Sequence, residues 1–376
     1  MIRAAIVGTG YIARVHARLI RELGGEVAAV VGRSLGSAQA FGAGNAYGDM
    51  AAMLRAERPE VVHVCTPNAL HCEQAIAAFR AGAHVLCEKP MATSGEECAR
   101  MIEAAGRAGR VGAIAYCYRG YPLVRELRAR VAAGDFGALW RVSGAYLSQD
   151  VFDPDKYVWH FTPGSSGPSF ALFDLGVHWL DLAGYVAGAP VTEVSADFAT
   201  RRPTRTWRGG EGQGPRPPGG GSADAVPVEV AIEDHAELTV RFAGGASGSA
   251  TVMALSPGNP NALSLSVDGS EGGFDWQQEE PSHFVERRLG TRIRRERDPA
   301  RLAPADRWMA VTPAGHPDGY LDAFRNVIAE SWHAMREGGD AYPSFPDGAR
   351  GIATVEAAIR SARLRRPEPV APPARS

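Results

Sequence analysis

The first stretch able to do chemistry is Gly8-Thr9-Gly10-Tyr11-Ile12-Ala13, which follows the apolar run Ala5-Ile6-Val7 without a break. A Gly-x-Gly-x-x-Ala turn between a strand and a helix leaves backbone N–H groups unpaired at the helix N-terminus, and such groups suit the pyrophosphate of a dinucleotide. Gly8 and Gly10 keep side chains out of the approach, Tyr11 and Ile12 open the helix, and Ala13 lets it lie close to the sheet. A dinucleotide also needs a partner for its adenosine ribose at the end of the second strand. The position 19 residues past Ala13 is Gly32, followed by Arg33 and Ser34. NAD enzymes usually place a carboxylate there for the ribose hydroxyls, and a carboxylate would repel a 2′-phosphate. Gly32 removes that repulsion, while Arg33 and Ser34 supply a guanidinium and a hydroxyl, so the expectation leans to NADP over NAD. In the other reading Arg33 stacks on adenine in an enzyme that accepts both.

The second stretch is Phe173-Asp174-Leu175-Gly176-Val177-His178-Trp179-Leu180-Asp181-Leu182. On a helix Asp174 and His178 are four apart, with Asp181 and Tyr185 continuing their stripe; Leu175, Trp179, Leu182 and Val186 form an apolar stripe beside it. One face can pack while the other points into a cleft. A histidine titrates near neutrality and can take a proton from a hydroxyl as hydride leaves the carbon, and Asp174 would orient the ring and stabilise the imidazolium.

Between these stretches, Cys65-Thr66-Pro67-Asn68-Ala69-Leu70-His71 and Gly82-Ala83-His84-Val85-Leu86-Cys87-Glu88-Lys89-Pro90 resemble the glucose-fructose oxidoreductase / inositol dehydrogenase / rhizopine catabolism protein family, Gfo/Idh/MocA. The Asp174–His178 stretch is similar to that family's Asp-Ile-Gly-x-His helix. The resemblance implies that Thr66, Pro67, Asn68 and His71 lie along the cofactor, and that Glu88 and Lys89 bring the lysine to the nicotinamide. An ammonium there can donate a hydrogen bond to a developing alkoxide. The expected catalytic set is His178 as base, Asp174 as its orienter and Lys89 as the clamp on oxygen. Hydride transfer itself needs no protein nucleophile, because the cofactor carries that step. Tyr116-Cys117-Tyr118-Arg119-Gly120-Tyr121-Pro122 and Gly315-His316-Pro317-Asp318-Gly319-Tyr320 resemble further family segments. On that basis Arg119, Tyr121, Trp159, His160, His316 and Tyr320 are expected at the substrate.

The elements around these residues fall into two patterns. Up to about residue 120, short apolar runs (Ala4–Val7, Val27–Val31, Val61–Cys65, His84–Cys87, Val111–Tyr116) alternate with helical stretches, which predicts βαβ units and a parallel sheet. Beyond Tyr121 the alternation is that of half-buried strands: Trp140, Val142, Gly144 and Tyr146; Leu238, Val240 and Phe242; then Leu263, Leu265 and Val267 leading to a turn at Asp268-Gly269. Two helices, Tyr320–Arg336 and Asp347–Arg363, are expected after it. The fold class is therefore α/β, an N-terminal Rossmann doubly wound parallel sheet plus a C-terminal α+β domain with a large, mostly antiparallel sheet. The expected domains are 1–121 for the dinucleotide, 122–365 for substrate and oligomerisation, and 366–376 as a disordered tail. Residues 201–228, rich in Arg, Pro and Gly, are expected to be a mobile loop.

At 376 residues, 45% hydrophobic and with a formal net charge of −2, the chain has room for two cores and no electrostatic reason to bind nucleic acid. Five cysteines with no Cys-x-x-Cys spacing suggest reduced thiols, no zinc cluster and a cytoplasmic protein. No apolar run is long enough to span a bilayer. Together these imply an NAD(P)-dependent dehydrogenase or reductase, forming a dimer or tetramer and moving hydride between nicotinamide and a secondary alcohol or ketone of a sugar, sugar derivative or cyclitol. Two alternatives remain at this level. One is a redox-neutral relative that keeps its nicotinamide bound and cleaves glycosides or dismutates sugars; the other is a non-catalytic cofactor-binding sensor.

Overall fold

The computed structural model describes residues 1–210, 213, 225–339 and 342–372. These form two compact units, residues 1–120 with 320–352, and residues 121–319 with 353–372.

In the first unit the chain runs β1 (Arg3–Val7), α1 (Tyr11–Glu22), β2 (Glu26–Val31), α2 (Leu35–Phe41), β3 (Asn45–Tyr47), α3 (Met50–Glu57), β4 (Val61–Val64), α4 (His71–Arg80), β5 (His84–Cys87), α5 (Gly95–Ala108) and β6 (Gly112–Ile114). The six strands are parallel in the order β3-β2-β1-β4-β5-β6, the doubly wound arrangement. Ala4, Ala5, Ile6, Val62 and Val64 are wholly buried, as expected for central strands covered on both faces. Each branched side chain there contributes roughly 1.5–3 kcal/mol. Local chemistry sets the helix ends: Ser94 Oγ accepts the Glu97 N–H at the start of α5, and Gly109 closes it at φ 60°. α2 and β3, which no apolar period marks, begin at Ser34, whose side chain forms a capping box with Ser37.

The second unit contains α6 (Pro122–Ala132), β7 (Leu139–Leu147), the single turn α7 (Pro163–Ser166), α8 (Val177–Ala187), β8 (Val191–Ala199), β9 (Thr204–Trp207), β10 (Val226–Glu229), β11 (His235–Phe242), β12 (Ser247–Met253), β13 (Ala262–Gly269), β14 (Gly272–Gln277), β15 (His283–Arg288) and β16 (Thr291–Glu296). They are followed by α9 (Tyr320–Glu337), α10 (Phe345–Leu364) and β17 (Glu368–Pro369). Nine strands make one sheet, β16-β15-β14-β13-β7-β12-β11-β8-β17, antiparallel except for the parallel pair β12 and β7. β11 shows the expected alternation, with Ala236, Leu238, Val240 and Phe242 buried and the residues between them exposed.

Five expectations need correction. α9 belongs with the first unit, because Asn326 Nδ2 donates to Gly120 O at 3.0 Å and its apolar side chains meet α1 and β4. Chain order suggested otherwise; packing decides. The expected tail is ordered through 372, since Glu368 and Pro369 pair with β8; residues 373–376 lie outside the described ones. Residues 204–207 and 226–229 form a two-stranded ladder rather than loop, and residues 211–212 and 214–224 also lie outside the described ones. Asp268 and Gly269 pair within β13, so the turn falls at Ser270-Glu271. Finally, Leu172–Gly176 is a π-turn leading into α8, so Asp174 sits on a widened turn and not on a regular helix.

Candidate active site

In the first unit the expected cofactor residues all follow the carboxyl ends of parallel strands, where open α/β sheets bind ligands. Gly8, after β1, has φ 120°, and a Cβ there would stand 2.4 Å from Cys65 O. Only glycine fits. Gly10 caps α1 with extended backbone, and a Cβ there would meet nothing within 4 Å. That open approach to the start of α1 fits a dinucleotide pyrophosphate. Tyr11 is 74% exposed at the mouth, Ile12 is half-buried, and Ala13 is fully packed.

After β2, a Cβ on Gly32 would lie 2.4 Å from Ser37 Oγ and 2.7 Å from Ala38 N. The missing ribose carboxylate therefore has a local cause: the capping turn of α2 leaves no room for a side chain. Ser34 Oγ accepts the Ser37 N–H in that cap, whereas the Arg33 side chain is exposed.

After β4 and β5, the Thr66 and Lys89 loops are tied together by His71. Its Nε2 lies 2.8 Å from Thr66 O and its Nδ1 2.9 Å from Pro90 O. Burial lowers its proton affinity, although both carbonyls pull the other way. His71 is wholly enclosed, so it holds the two loops in register instead of touching a cofactor, a correction to its expected role. Thr66 Oγ1 donates to Gln74 Oε1 at 2.6 Å, Pro67 is half-buried and Asn68 is buried. Glu88 is buried too: Oε2 accepts the Lys89 N–H at 3.1 Å, and Oε1 lies 2.9 Å from His16 Nε2. Lys89 itself is half-exposed.

Two other first-unit candidates are Arg119 and Tyr320. Arg119 is buried against Asp347 at 3.2 Å; burial raises the Asp347 carboxyl, yet Arg119 brings it below its ordinary range. Tyr320 is half-buried and packs on Phe324, and burial drives its hydroxyl pKa far up. All five cysteines are buried thiols outside any disulfide, and burial pushes the Cys72 thiol up to about 11, so these thiols are poor nucleophiles. A cleft of about 770 Å³ opens at the opposite, amino-terminal ends of these strands, lined by Arg58, Glu60, His84 and Arg110 among others; it holds none of the residues above.

In the second unit the apolar stripe of α8 is sealed: Trp179, Leu182 and Val186 are wholly buried, and Trp179 Nε1 donates to Ser264 O at 3.1 Å. That anchoring fixes His178 and Asp181 beside it. His178 is 7% exposed and lies against Tyr146, ring centroids 6.0 Å apart, while the Tyr146 hydroxyl donates to Asn261 Oδ1 at 2.8 Å. Asp174, half-exposed on the π-turn, faces His160 Nε2 at 3.8 Å, and Trp159 stacks on His160 at 3.8 Å. Trp159, His160 and Asp174 thus form one polar group in this unit, and His178 with Tyr146 another. Tyr121 does not join it: it is 1% exposed, packs on Trp276, and its hydroxyl accepts from Gln278 Nε2 at 3.1 Å. His316 is exposed on a loop whose carbonyls are held by the buried Arg297.

Sequence reasoning missed His16, Tyr146 and Asn261. The signals were present for two of them: His16 falls on the buried stripe of α1 with Ala13, Ala17 and Ile20, and Tyr146 falls on the inward alternation of β7 with Val142. Asn261 lies just before β13 and follows no period. Among the described residues no cluster of His, Cys, Asp or Glu could hold a metal ion, and no helix is long and apolar enough to cross a membrane.

Residues 2–116 match the oxidoreductase family with an NAD-binding Rossmann fold, and residues 124–275 match the GFO/IDH/MocA C-terminal domain. The chain is 30% identical over 331 residues to the levoglucosan dehydrogenase of Pseudarthrobacter phenanthrenivorans, covering 87% of this chain and 84% of that protein. It is 32% identical over 282 residues to the D-glucoside 3-dehydrogenase of Escherichia coli K12, covering 72% and 76%. A solved levoglucosan dehydrogenase in complex with NADH and L-sorbose superposes with a TM-score of 0.87 at 26% identity, covering 98% of this chain and 99% of that one. The chain belongs to the Gfo/Idh/MocA family and is an NAD(P)-dependent oxidoreductase acting on CH–OH groups.

Proposed function

We propose that this enzyme oxidises a secondary hydroxyl of a sugar to a ketone, and runs the reverse reduction, with glucosides and anhydrosugars as the first substrates to try and NADP as the preferred cofactor. The observation that carries this reading is the placing of His178 and Asp174 at the head of α8. A shielded histidine and an aspartate open one helix whose other stripe is locked in the core. The bound nicotinamide would accept the hydride from the carbinol carbon. His178 takes the hydroxyl proton at the imidazole and returns it in the reverse direction. Asp174 steadies the positive charge that the site gains, with His160 as its neighbour. Lys89 donates to the sugar oxygen as negative charge builds there. Trp159 offers an apolar wall for a sugar ring, and His316 a further polar contact. Exposed Arg33, with no carboxylate at positions 32–34, supports the preference for a 2′-phosphate.

The test is turnover of glucosides, anhydrosugars, free monosaccharides and inositols with NAD and NADP, followed by absorbance of the reduced cofactor. Accumulation with a sugar is expected. Glycoside cleavage without accumulation would instead support the redox-neutral alternative. His178→Ala and Lys89→Ala are each expected to lower kcat by about 10²–10⁴ while cofactor affinity is kept; near-normal turnover in both would contradict the assigned roles.

A further inference from the structure

Three buried polar groups form a line through the core of the first unit. His16 on α1 and His63 on β4 are 0% exposed, and Glu88 is 7% exposed. His63 Nδ1 lies 2.7 Å from His16 Nδ1, His16 Nε2 lies 2.9 Å from Glu88 Oε1, and Glu88 Oε2 accepts the Lys89 N–H at 3.1 Å. Around them the setting is apolar: Phe324 packs edge-on against His16 at 4.9 Å and Trp332 against His63 at 6.1 Å. Burying such groups costs stability that an apolar trio of the same volume would not, so the line needs a reason beyond packing.

The partners fix where the protons sit. An ionised carboxylate only accepts, so His16 donates from Nε2. One proton fits between the two Nδ1 atoms. His63 Nε2 has no hydrogen-bond partner among the described residues, and a proton there would strand a buried donor. Burial, reinforced by His16, holds the His63 pKa well below its ordinary value. Neutral His63 therefore donates from Nδ1 to His16, which leaves the His16 Nε2–H on Glu88.

We infer that His16 is a positioning residue for Lys89. By donating to one oxygen of Glu88 it fixes the carboxylate whose other oxygen holds the Lys89 amide, and with it the peptide from which the lysine side chain extends. His63 selects the tautomer that makes this contact. The inference rests on the proposed role of Lys89 at the sugar oxygen.

Two substitutions separate this role from simple packing. His16→Gln puts an amide nitrogen near the Nε2 position and keeps the donor to Glu88, whereas His16→Asn puts it near Nδ1 and loses that donor. In the full-length enzyme with its best sugar and NADP, His16→Asn is expected to lower kcat on the order of tenfold, with KM for sugar and cofactor affinity within about twofold of wild type. His16→Gln should recover most of that loss. Equal kcat in the two variants, or a loss confined to KM or cofactor affinity, would overturn the inference. If His16→Asn does not fold, folded His16→Gln decides: retention of at least about half the wild-type kcat supports the role, and a tenfold fall overturns it. Near-normal turnover in Lys89→Ala removes the lysine's role and this inference with it. An inactive Lys89→Ala beside indistinguishable Gln and Asn variants removes only the role of His16.

Discussion

Gly8 and Gly10 read alike in the sequence, yet they answer to different constraints. Gly8 is held at φ 120°, and a Cβ there would run into the Cys65 carbonyl, so the fold itself requires glycine. Gly10 has ordinary backbone and open space in front of it, so the fold itself does not require glycine there. Gly8→Ala is expected to cost about 1–3 kcal/mol of stability or more, seen as a lower melting temperature without cofactor. Gly10→Ala should melt like wild type and bind the dinucleotide on the order of tenfold more weakly in a fluorescence titration. A Gly10→Ala protein that binds cofactor normally would contradict the pyrophosphate assignment. At this scale residue type was legible and burial was not. Arg119 and Tyr121 sit in a segment that suggested substrate, but the one is spent on Asp347 and the other on Gln278 inside the core.

Among elements, the π-turn at Leu172–Gly176 is one that no period announced, because a widened turn differs from an α-turn by a single residue and leaves the apolar stripe of α8 intact. Its base rests on a buried acid. Ser169 Oγ accepts the Leu172 N–H and donates to Glu233 Oε1, and burial pushes the Glu233 carboxyl up to about 7. A carboxyl raised on folding favours the folded state below its unfolded pKa near 4.5, and that contribution is lost as pH rises to about 7. The shift corresponds to about 3 kcal/mol. Glu233→Gln, which still accepts from Ser169, should be more stable than wild type by up to this amount at about pH 8 and equal to it at about pH 4 in urea unfolding. A difference independent of pH would show that folding leaves the Glu233 pKa at its unfolded value, contradicting the raised carboxyl. The βαβ rhythm of the first unit and the alternation of β11 were legible because burial on known faces writes itself into sequence. The places of α9 and β17 were not, because contacts between distant segments leave no local period.

For the whole molecule, ligand binding and stability are linked: a cofactor that binds the folded chain raises its melting temperature, by about 2.7 kcal/mol of stability at a hundredfold excess over Kd. NADP is expected to raise it more than NAD at equal concentration, and Arg33→Ala should abolish that difference. A larger shift with NAD in wild type would reverse the cofactor preference. Acid should act on the second unit, where burial favours the neutral form of Glu286 but Arg130, Arg295 and Arg288 hold its pKa down to about 2. Stability from that cluster is present above the ordinary glutamate range and lost as pH falls toward about 2. The central claim, that a sugar C–H hydrogen passes to the nicotinamide as hydride, is tested most directly by supplying the oxidised cofactor with a sugar deuterated at its secondary carbinol carbons and weighing the reduced cofactor by mass spectrometry. Reduced cofactor carrying one deuterium is the expected result; unlabelled reduced cofactor, or none formed with any sugar, would contradict it.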